Sequence, residues 1–442
     1  MSRTVAPSPP GRRARPHAEF MQIWEEGYVS NSVSFENMHT PSLFIVQGSP
    51  VVRADGTIDR ARVRAMVAAT VASLPDFRLR MRRSLLGLTP PAWVPDERFD
   101  LDRHLVFADE PVEFATADLR ALSGAGDPVL SISHPLWRMR FTALAEGPLA
   151  VGLTLHHAST DGMSGMRLLS SITQSTAETP TGAAIDPFAG VRAARAWELP
   201  LLALGQWRRR ARESGSLWRA YWSRPVTRRL RRVAARVLLP LRYRRGGERA
   251  RAAALPPRRS AYRRIEAATA GKRARTLGGT LSDLQVSAMI AAWPGAERVV
   301  RLRFPVSFHD PAAPHIRNHV RDMEVSGDAD ADLAATVASV HAQVAARDAA
   351  DPPSLVSGEP IGYSTLLPWV SRPRYFCGGE ITEIVPFPAS LGRDRLAAAS
   401  IMYRGNLYVG ATMPVAYDVE ETTGRIAAHL TGVADTGRPG LP

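Results

Sequence analysis

The 442-residue sequence contains a single cysteine, Cys377. One cysteine excludes an intramolecular disulfide, a cysteine-based zinc site and a cysteine-ligated iron–sulfur cluster. No apolar run approaches the roughly 20 residues that span a bilayer, and residues 1–18 contain no apolar segment of a secretory signal. Walker loops and dinucleotide-binding glycine motifs are also missing, so we expect no nucleotide hydrolysis and no bound cofactor. These absences fit a cytoplasmic protein.

Lysine is equally scarce, because Lys272 is the one lysine of the chain and arginine carries the positive charge. The formal net charge is +14, yet residues 208–264 alone hold 20 arginines against two acidic residues, which gives +18, and the remainder sums to −4. Tryptophans and amphipathic stretches accompany these arginines. The segment can be a solvated linker, or it can dock on an anionic membrane surface or an acidic carrier protein. Nucleic-acid binding is disfavoured, because the sequence shows no known nucleic-acid module.

Composition and hydrophobic periodicity divide the chain into four parts. We predict a flexible tail over 1–18, a first lobe over 19–185, a basic connecting segment over 186–264 and a second lobe over 265–442. Both lobes mix predicted strands with predicted helices, which is typical of α/β sandwiches. The sequence therefore predicts an α/β protein made of two facing sandwiches.

The strongest chemical signal is the sequence HHASTDG at residues 156–162, which follows a predicted buried strand. Neutral imidazole can take a proton from a hydroxyl or an amine near neutral pH. Strand alternation puts His156 and His157 on opposite faces, and we predict His157 as the general base because it lies nearer the exposed turn. We expect Asp161 to hold the loop through an arginine. Gly162 is expected to allow a sharp turn and close approach of the substrate.

This motif resembles the HHxxxDG active-site motif of the chloramphenicol acetyltransferase-like, CoA-dependent acyltransferases. Within that superfamily the chain is more similar to bacterial wax ester synthase/diacylglycerol acyltransferases than to peptide-synthetase condensation domains. Further stretches carry the likeness in order along the chain: 77–82, Trp93, 99–104, 135–137, 304–307 and Asn318.

The resemblance implies two chloramphenicol acetyltransferase-like lobes with a tunnel between them. It also implies that His157 is the base and Asp161 a structural partner, and that an acyl thioester and a small-molecule acceptor enter from opposite faces. The second lobe departs from the family pattern at Phe308, at 364–368 and at Met402. These departures favour a specialised acyltransferase of secondary or lipid metabolism over bulk synthesis of wax esters or triacylglycerols.

Three functions remain open at this stage. The first is acyl transfer from acyl-CoA to a hydroxyl or amine, and the second is a free-standing condensation enzyme that uses a carrier-protein thioester. The third is a non-catalytic protein that binds a membrane or nucleic acid. Two weaker signals are a nucleophilic Cys377 and a metal cluster at His309, His315 and His319, and both are disfavoured because no paired base and no carboxylate pattern accompany them.

Overall fold

A computed structural model describes residues 14–21, 25–26, 28–29, 38–178, 186–213, 225–227, 256–307, 320–346, 359–388, 394–435, 437 and 441. The strands are β1 Arg15–His17, β2 Glu19–Phe20, β3 His39–Gln47, β4 Leu79–Arg82, β5 Ala92–Pro95, β6 Leu105–Phe107, β7 Trp137–Ala143, β8 Leu149–His156, β9 Val191–Ala193, β10 Arg258–Glu266, β11 Val299–Ser307, β12 Val320–Asp328, β13 Gly362–Pro368, β14 Tyr375–Phe376, β15 Gly379–Pro386, β16 Leu396–Tyr403 and β17 Asn406–Pro414. The α-helices are α1 Arg60–Val71, α2 Leu119–Ser123, α3 Gly162–Ile172, α4 Leu199–Glu213, α5 Ala267–Thr276, α6 Leu281–Ala291, α7 Leu333–Ala345 and α8 Val419–Thr431.

The first large sheet has six strands in the order β14-β15-β3-β8-β7-β6. Strand β8 lies inside this sheet, between β3 and β7. All eight of its residues are buried, so other elements cover both of its faces. Antiparallel pairing of β3 with β8 brings His39 opposite His156 at the end of the sheet. The HHASTDG motif at residues 156–162 therefore begins at the end of a central strand of this sheet.

The second large sheet has the order β10-β17-β16-β13-β11-β12. Its helices α6, α7 and α8 contribute buried apolar side chains to a core that includes Val300, Leu302 and Val325. Strand alternation then directs Arg303, Tyr363 and their same-face neighbours away from this core. The two sheets and their helices confirm the predicted two-lobed α/β fold.

The second half of the chain contributes two strands to the sheet of the first half, which the predicted boundaries did not anticipate. Strands β14 and β15 come from the second half but extend the first sheet, where β15 pairs antiparallel with β3. The main hydrophobic core of the first sheet accordingly includes Tyr262, Ile401 and Tyr408 from the second half. The lobes are thus joined by hydrogen-bonded backbone as well as by side-chain packing.

Two predicted boundaries differ from the structure. Residues 15–17 of the predicted tail form β1, which pairs in parallel with Val191–Ala193. The connecting segment is cut short because β10 begins at Arg258 and pairs with β17 along the edge of the second sheet. Most of 208–264 lies outside the described residues, and no helix of the described part is long and apolar enough to cross a membrane.

Candidate active site

His157 lies immediately after the end of β8, where the chain turns toward α3. Its backbone N–H donates to the Met38 carbonyl over 2.8 Å, which fixes the residue against the segment that leads into β3. Its imidazole lines a cavity and stacks on the Tyr28 ring, with ring centroids 4.2 Å apart and planes inclined by 12°. The side chain is therefore held in one orientation at the cavity wall.

The protonation state of His157 follows from its surroundings. Burial lowers the pKa of the imidazole, although the negative charges of Asp161 and Asp322 oppose that shift. The ring also hydrogen-bonds the backbone carbonyl of His157 itself. Because Nδ1 is the ring nitrogen nearer the main chain, we assign the proton to Nδ1, which leaves the lone pair on Nε2. A neutral imidazole with its lone pair on Nε2 can accept a proton in the cavity.

His156 has a different environment from its neighbour. Its Nδ1 accepts a hydrogen bond from the Ala158 backbone N–H over 3.0 Å, and its ring meets that of His39 edge to face at 6.4 Å. Burial lowers the pKa of His156 to about 3 and that of His39 to about 4. His156 therefore stays neutral and closes the loop that carries His157.

Asp161 caps helix α3. Its Oδ1 accepts the Ser164 backbone N–H over 2.8 Å, which satisfies one of the unpaired donors at the helix start. Helix capping therefore explains locally why an acidic residue stands at this position, and sequence reasoning did not find this explanation. The expected pairing of Asp161 with an arginine stays a prediction.

Gly162 does not provide the predicted sharp turn. It is the first residue of α3, and its φ lies outside the left-handed region that favours glycine. A Cβ atom at this position would lie 2.5 Å from Cδ2 of Leu367, a residue of β13. A side chain here would press on the second lobe where it packs against the start of the helix, so the sharp turn is not the reason for glycine. The expected close approach of the substrate stays a prediction, and Gly162 does line the cavity.

The cavity is bounded by both lobes. The empty space between its walls is about 710 Å³, which includes a part that is open to solvent. Most of its wall is apolar, and this part consists of Pro41, Phe44, Leu153, Leu155, Met166, Leu169, Leu367, Pro386, Phe387, Pro388, Ala399 and Ile401. The arrangement can hold a flexible hydrocarbon chain with one end near His157.

The second lobe adds a polar group of residues that sequence reasoning did not find. Tyr363 and Thr365 of β13 line the cavity with His157, and as alternate residues of one strand they lie on the same face of the sheet. Arg303, beside Tyr363 in register, lies 6.0 Å from its ring centre and pairs with Asp394. The alternation of Tyr363 and Thr365 along one strand was the available signal, but it could not show which surface the strand faces.

Asp322 completes this polar group. It lies opposite Pro305 in the β11–β12 ladder and so shares a face with Arg303. The side chain is accessible to solvent, yet the surrounding protein raises the pKa of its carboxyl, and its charge reaches both His157 and Tyr363. This combination describes a carboxylate in a cleft that is open to a solute.

Of the weaker sequence candidates, the cysteine alone lies among the described residues. Cys377 is buried, and burial raises the pKa of its thiol to about 12, so it is no nucleophile at neutral pH. His309, His315 and His319 lie outside the described residues. Among the residues that are described, no cluster of three or more histidine, cysteine or acidic side chains could hold a metal ion.

Sequence comparison links the chain to one family. The family profile "Wax ester synthase/diacylglycerol acyltransferase catalytic domain" matches residues 33–285, more than half of the chain. A Mycobacterium tuberculosis protein with the provisional name diacylglycerol O-acyltransferase is 32% identical over 123 residues, which are 27% of this chain and 24% of the relative. The matched region thus spans about a quarter of that relative's length.

Solved structures share the fold over nearly the whole chain. The wax ester synthase/diacylglycerol acyltransferase of Marinobacter aquaeolei VT8 superposes with a TM-score of 0.58 at 15% identity, covering 93% of this chain and 98% of its own. A starter condensation domain of rhizomide synthetase, solved as a variant in complex with C8-CoA, gives 0.54 at 14% identity, covering 95% and 96%. Both likenesses concern the fold.

Proposed function

Because the chain belongs to the wax ester synthase/diacylglycerol acyltransferase family, we propose that it transfers an acyl group from acyl-CoA to a hydroxyl acceptor. The observation that carries this proposal is the buried, neutral imidazole of His157 at the wall of a mainly apolar cavity between the lobes. A general base beside an apolar cavity suits a reaction between a fatty thioester and an alcohol.

The reaction is direct transfer. Nε2 of His157 takes the proton from the acceptor hydroxyl, and the acceptor oxygen attacks the thioester carbonyl carbon. The tetrahedral intermediate then collapses, the carbon–sulfur bond breaks, and the imidazolium returns the proton to the departing thiolate. The products are the ester and free CoA, and no metal or covalent enzyme intermediate is needed.

The oxyanion of the tetrahedral intermediate requires a hydrogen-bond donor. Tyr363 and Thr365 line the cavity with His157 and offer hydroxyls, whereas the hydroxyl of Thr160, a third lining residue, donates to the Asp161 carbonyl over 3.1 Å. The backbone N–H groups near Gly162 are further candidates at the start of α3. We favour a hydroxyl from β13, because it approaches the reacting carbon from the lobe opposite the base.

The acyl chain is proposed to lie in the apolar part of the cavity. Phe44, Leu153 and Met166 bound it on the first lobe, and Ala399 and Ile401 bound it on the second. Burial of methylene groups there is worth about 0.8 kcal/mol each, so affinity should rise with chain length until the cavity is full.

The acceptor is proposed to be polar. Tyr363 brings a hydroxyl to the cavity wall, and Arg303 and Asp322 lie beside it on the same face of the sheet, where the Asp322 charge reaches His157. A long-chain alcohol would displace water from the Asp322 carboxylate without replacing its hydrogen bonds, at a cost of about 1–3 kcal/mol. A small polyhydroxylated or amino alcohol fits this wall better, in keeping with the expected specialised acyltransferase.

A carrier-protein thioester is the second candidate donor, because condensation domains share this fold and because the basic segment 208–264 suits an acidic carrier surface. Docking of the same segment on an anionic membrane, which would make the enzyme peripheral, also stays a proposal.

The test incubates the purified protein with acyl-CoA thioesters of increasing chain length and a panel of diols, amino alcohols and fatty alcohols, followed by mass spectrometry of the products. Parallel reactions supply the same acyl groups on a carrier protein. We expect ester formation from acyl-CoA, and His157→Ala should lower kcat by about 10²–10⁴, the usual contribution of a positioned base.

His134→Ala is the matched control, because it makes the same change at a half-exposed histidine outside the cavity. It should retain wild-type activity. Full activity in folded His157→Ala protein would refute the role of the base, and transfer from the carrier protein alone would refute the donor.

A further inference from the structure

A surface formed by the loop after β4 and the start of α4 exposes large apolar side chains. Six residues contribute to this leucine–tryptophan patch, with the exposed fraction of each in parentheses: Leu85 (54%), Leu86 (70%), Leu88 (53%), Trp197 (53%), Leu201 (65%) and Leu204 (41%). More than half of the exposed large apolar residues in the described part of the chain belong to this set. Contiguous exposed apolar surface of this kind marks an interaction site.

Hydrogen bonds hold the two parts of the patch together. The Leu85 backbone N–H donates to the Ala196 carbonyl over 3.0 Å, one residue before Trp197. Nη1 of Arg82, the last residue of β4, donates to the Ala194 carbonyl over 3.1 Å. The leucine loop and the start of α4 are therefore neighbours in space.

The orientation of α4 is set by its other face. Leu199 is buried and Leu202 packs against the same small core, three residues apart. Leu201, Leu204 and Arg208 follow at spacings of three and four and are exposed, so they share the outward face of the helix. Packing against the protein thus explains the inner leucines but leaves the outer ones with no partner within the described fold.

Positive charge flanks the helical part of the patch. Arg195 and Arg208 are exposed at its two ends, and the sequence beyond Glu213 continues with the arginine-rich stretch to residue 264. Tryptophan and leucine flanked by arginine is the composition of segments that lie in the interface of anionic bilayers. Each basic residue near such a surface contributes about 1 kcal/mol.

We propose that the leucine–tryptophan patch inserts into the headgroup region of an anionic lipid bilayer and that the flanking arginines hold it there. The inference does not depend on the proposed acyl transfer, because it rests on a surface that shares no residue with the cavity. It does explain how a lipid thioester or ester could be exchanged with a membrane.

The test is co-sedimentation of the full-length protein with vesicles of phosphatidylcholine alone or mixed with phosphatidylglycerol. Wild type should bind the anionic vesicles, and 1 M salt should weaken that binding because it shortens the Debye length to about 3 Å. The double variant Leu86→Ser/Leu201→Ser should lower the partition coefficient at least about tenfold, since two leucines lose their apolar contact with lipid.

The double variant Val415→Ser/Val433→Ser is the control, because it makes the same kind of change at two apolar residues that are also exposed, 48% and 64%, but lie elsewhere. It should bind vesicles like wild type. Equal binding by both double variants would overturn the proposal. So would wild type that ignores anionic vesicles but forms a dimer that Leu86→Ser/Leu201→Ser abolishes, since the occupant would then be a second copy of the chain.

Discussion

Burial keeps the imidazoles of the adjacent residues His156 and His157 neutral, but the two rings face different surroundings. His156 points into its own loop, where its Nδ1 accepts the Ala158 N–H. His157 points into the cavity and is held by the stacked Tyr28 ring. Desolvation lowers the pKa of both, so neither needs to lose a proton before it works at neutral pH.

The lowered pKa of His157 predicts the acid limb of the pH profile. A general base is active when deprotonated, and burial moves the pKa of this imidazole below its ordinary value of 6.5. Activity should therefore persist below pH 6.5 and fall only at lower pH. The measurement is kcat/KM against pH, which reports groups of the free enzyme.

Asp322→Asn provides the control for that profile. The Asp322 charge opposes the lowering of the His157 pKa, so its removal should shift the acid limb to still lower pH. An acid limb at or above pH 6.5 in wild type, or an upward shift in Asp322→Asn, would contradict the assignment.

Sequence reasoning at the residue scale succeeded where one element decided the outcome. Strand alternation indicated that His157 and not His156 faces the cleft, and His157 does line the cavity; its role as the general base stays a prediction. It failed for Gly162, because the neighbour that requires glycine is Leu367, some 200 residues away in the sequence. Asp322 and Tyr363 were missed for the same reason, since their nearness to His157 arises only when the lobes pack.

At the scale of elements, the second lobe holds helix α3 at both ends. Leu367 packs against its first residue. At the other end the Trp369 indole N–H donates to Ser170 Oγ over 2.8 Å, and Arg374 donates to the carbonyls of Ser170 and Thr173. A cation at the carboxyl end of a helix also complements its dipole. These contacts fix α3, and with it the HHxxxDG loop at its amino end, relative to the second lobe.

Gly162→Ala should displace Leu367 into the cavity. The new Cβ would meet Leu367 Cδ2 at 2.5 Å, and overpacking of this kind costs about 1–3 kcal/mol. Because Leu367 is a cavity residue, we expect activity with long acyl chains to fall more than activity with short ones.

The double variant Gly162→Ala/Leu367→Ala removes the obstructing methyl groups and should recover long-chain activity relative to Gly162→Ala. Thermal unfolding checks that both variants are folded. If Gly162→Ala reduced all chain lengths equally and Leu367→Ala gave no recovery, glycine would be needed for another reason.

The elements themselves were largely predictable, whereas their assembly was not. Buried strand β8 and the amphipathic helix after it follow from hydrophobic periodicity. Strand β15 also reads as a strand, yet nothing local shows that it leaves its own half to pair with β3 in the other. Strand partners depend on contacts that are distant along the chain, and periodicity carries no information on them.

At the scale of the whole molecule, a buried carboxylate joins the two sheets. Glu383 of β15 is fully buried in the first sheet and pairs with Arg264 of β10 in the second. Beside it the Tyr408 hydroxyl of β17 donates to the Thr382 carbonyl over 3.2 Å. Burial raises the pKa of Glu383 to about 7, against the pull of the arginine charge. The ionisation of this one side chain therefore contributes to the stability of the contact between the two sheets.

This pair predicts a pH dependence of stability. Between about pH 4.5 and about pH 7 the folded protein keeps a proton on Glu383 that the unfolded chain releases, so the free energy of unfolding should fall as pH rises through that window. A shift of this size corresponds to on the order of 3 kcal/mol. Urea unfolding at several pH values measures it, and Glu383→Gln should lose this part of the slope.

Glu380→Gln is the matched control, because Glu380 lies on the same strand but its partner Arg404 and its own side chain are partly exposed. It should keep the wild-type slope.

Arg264→Met leaves the Glu383 carboxylate buried without its cation, which costs about 3–5 kcal/mol. The free energy of unfolding should fall most at high pH, where Glu383 is ionised. Combining Arg264→Met with Glu383→Gln should recover much of that loss, because no buried charge then remains. Equal slopes in wild type and Glu383→Gln, or no recovery in the double variant, would show that the lobes are held together by their shared apolar core and by the pairing of β15 with β3 alone.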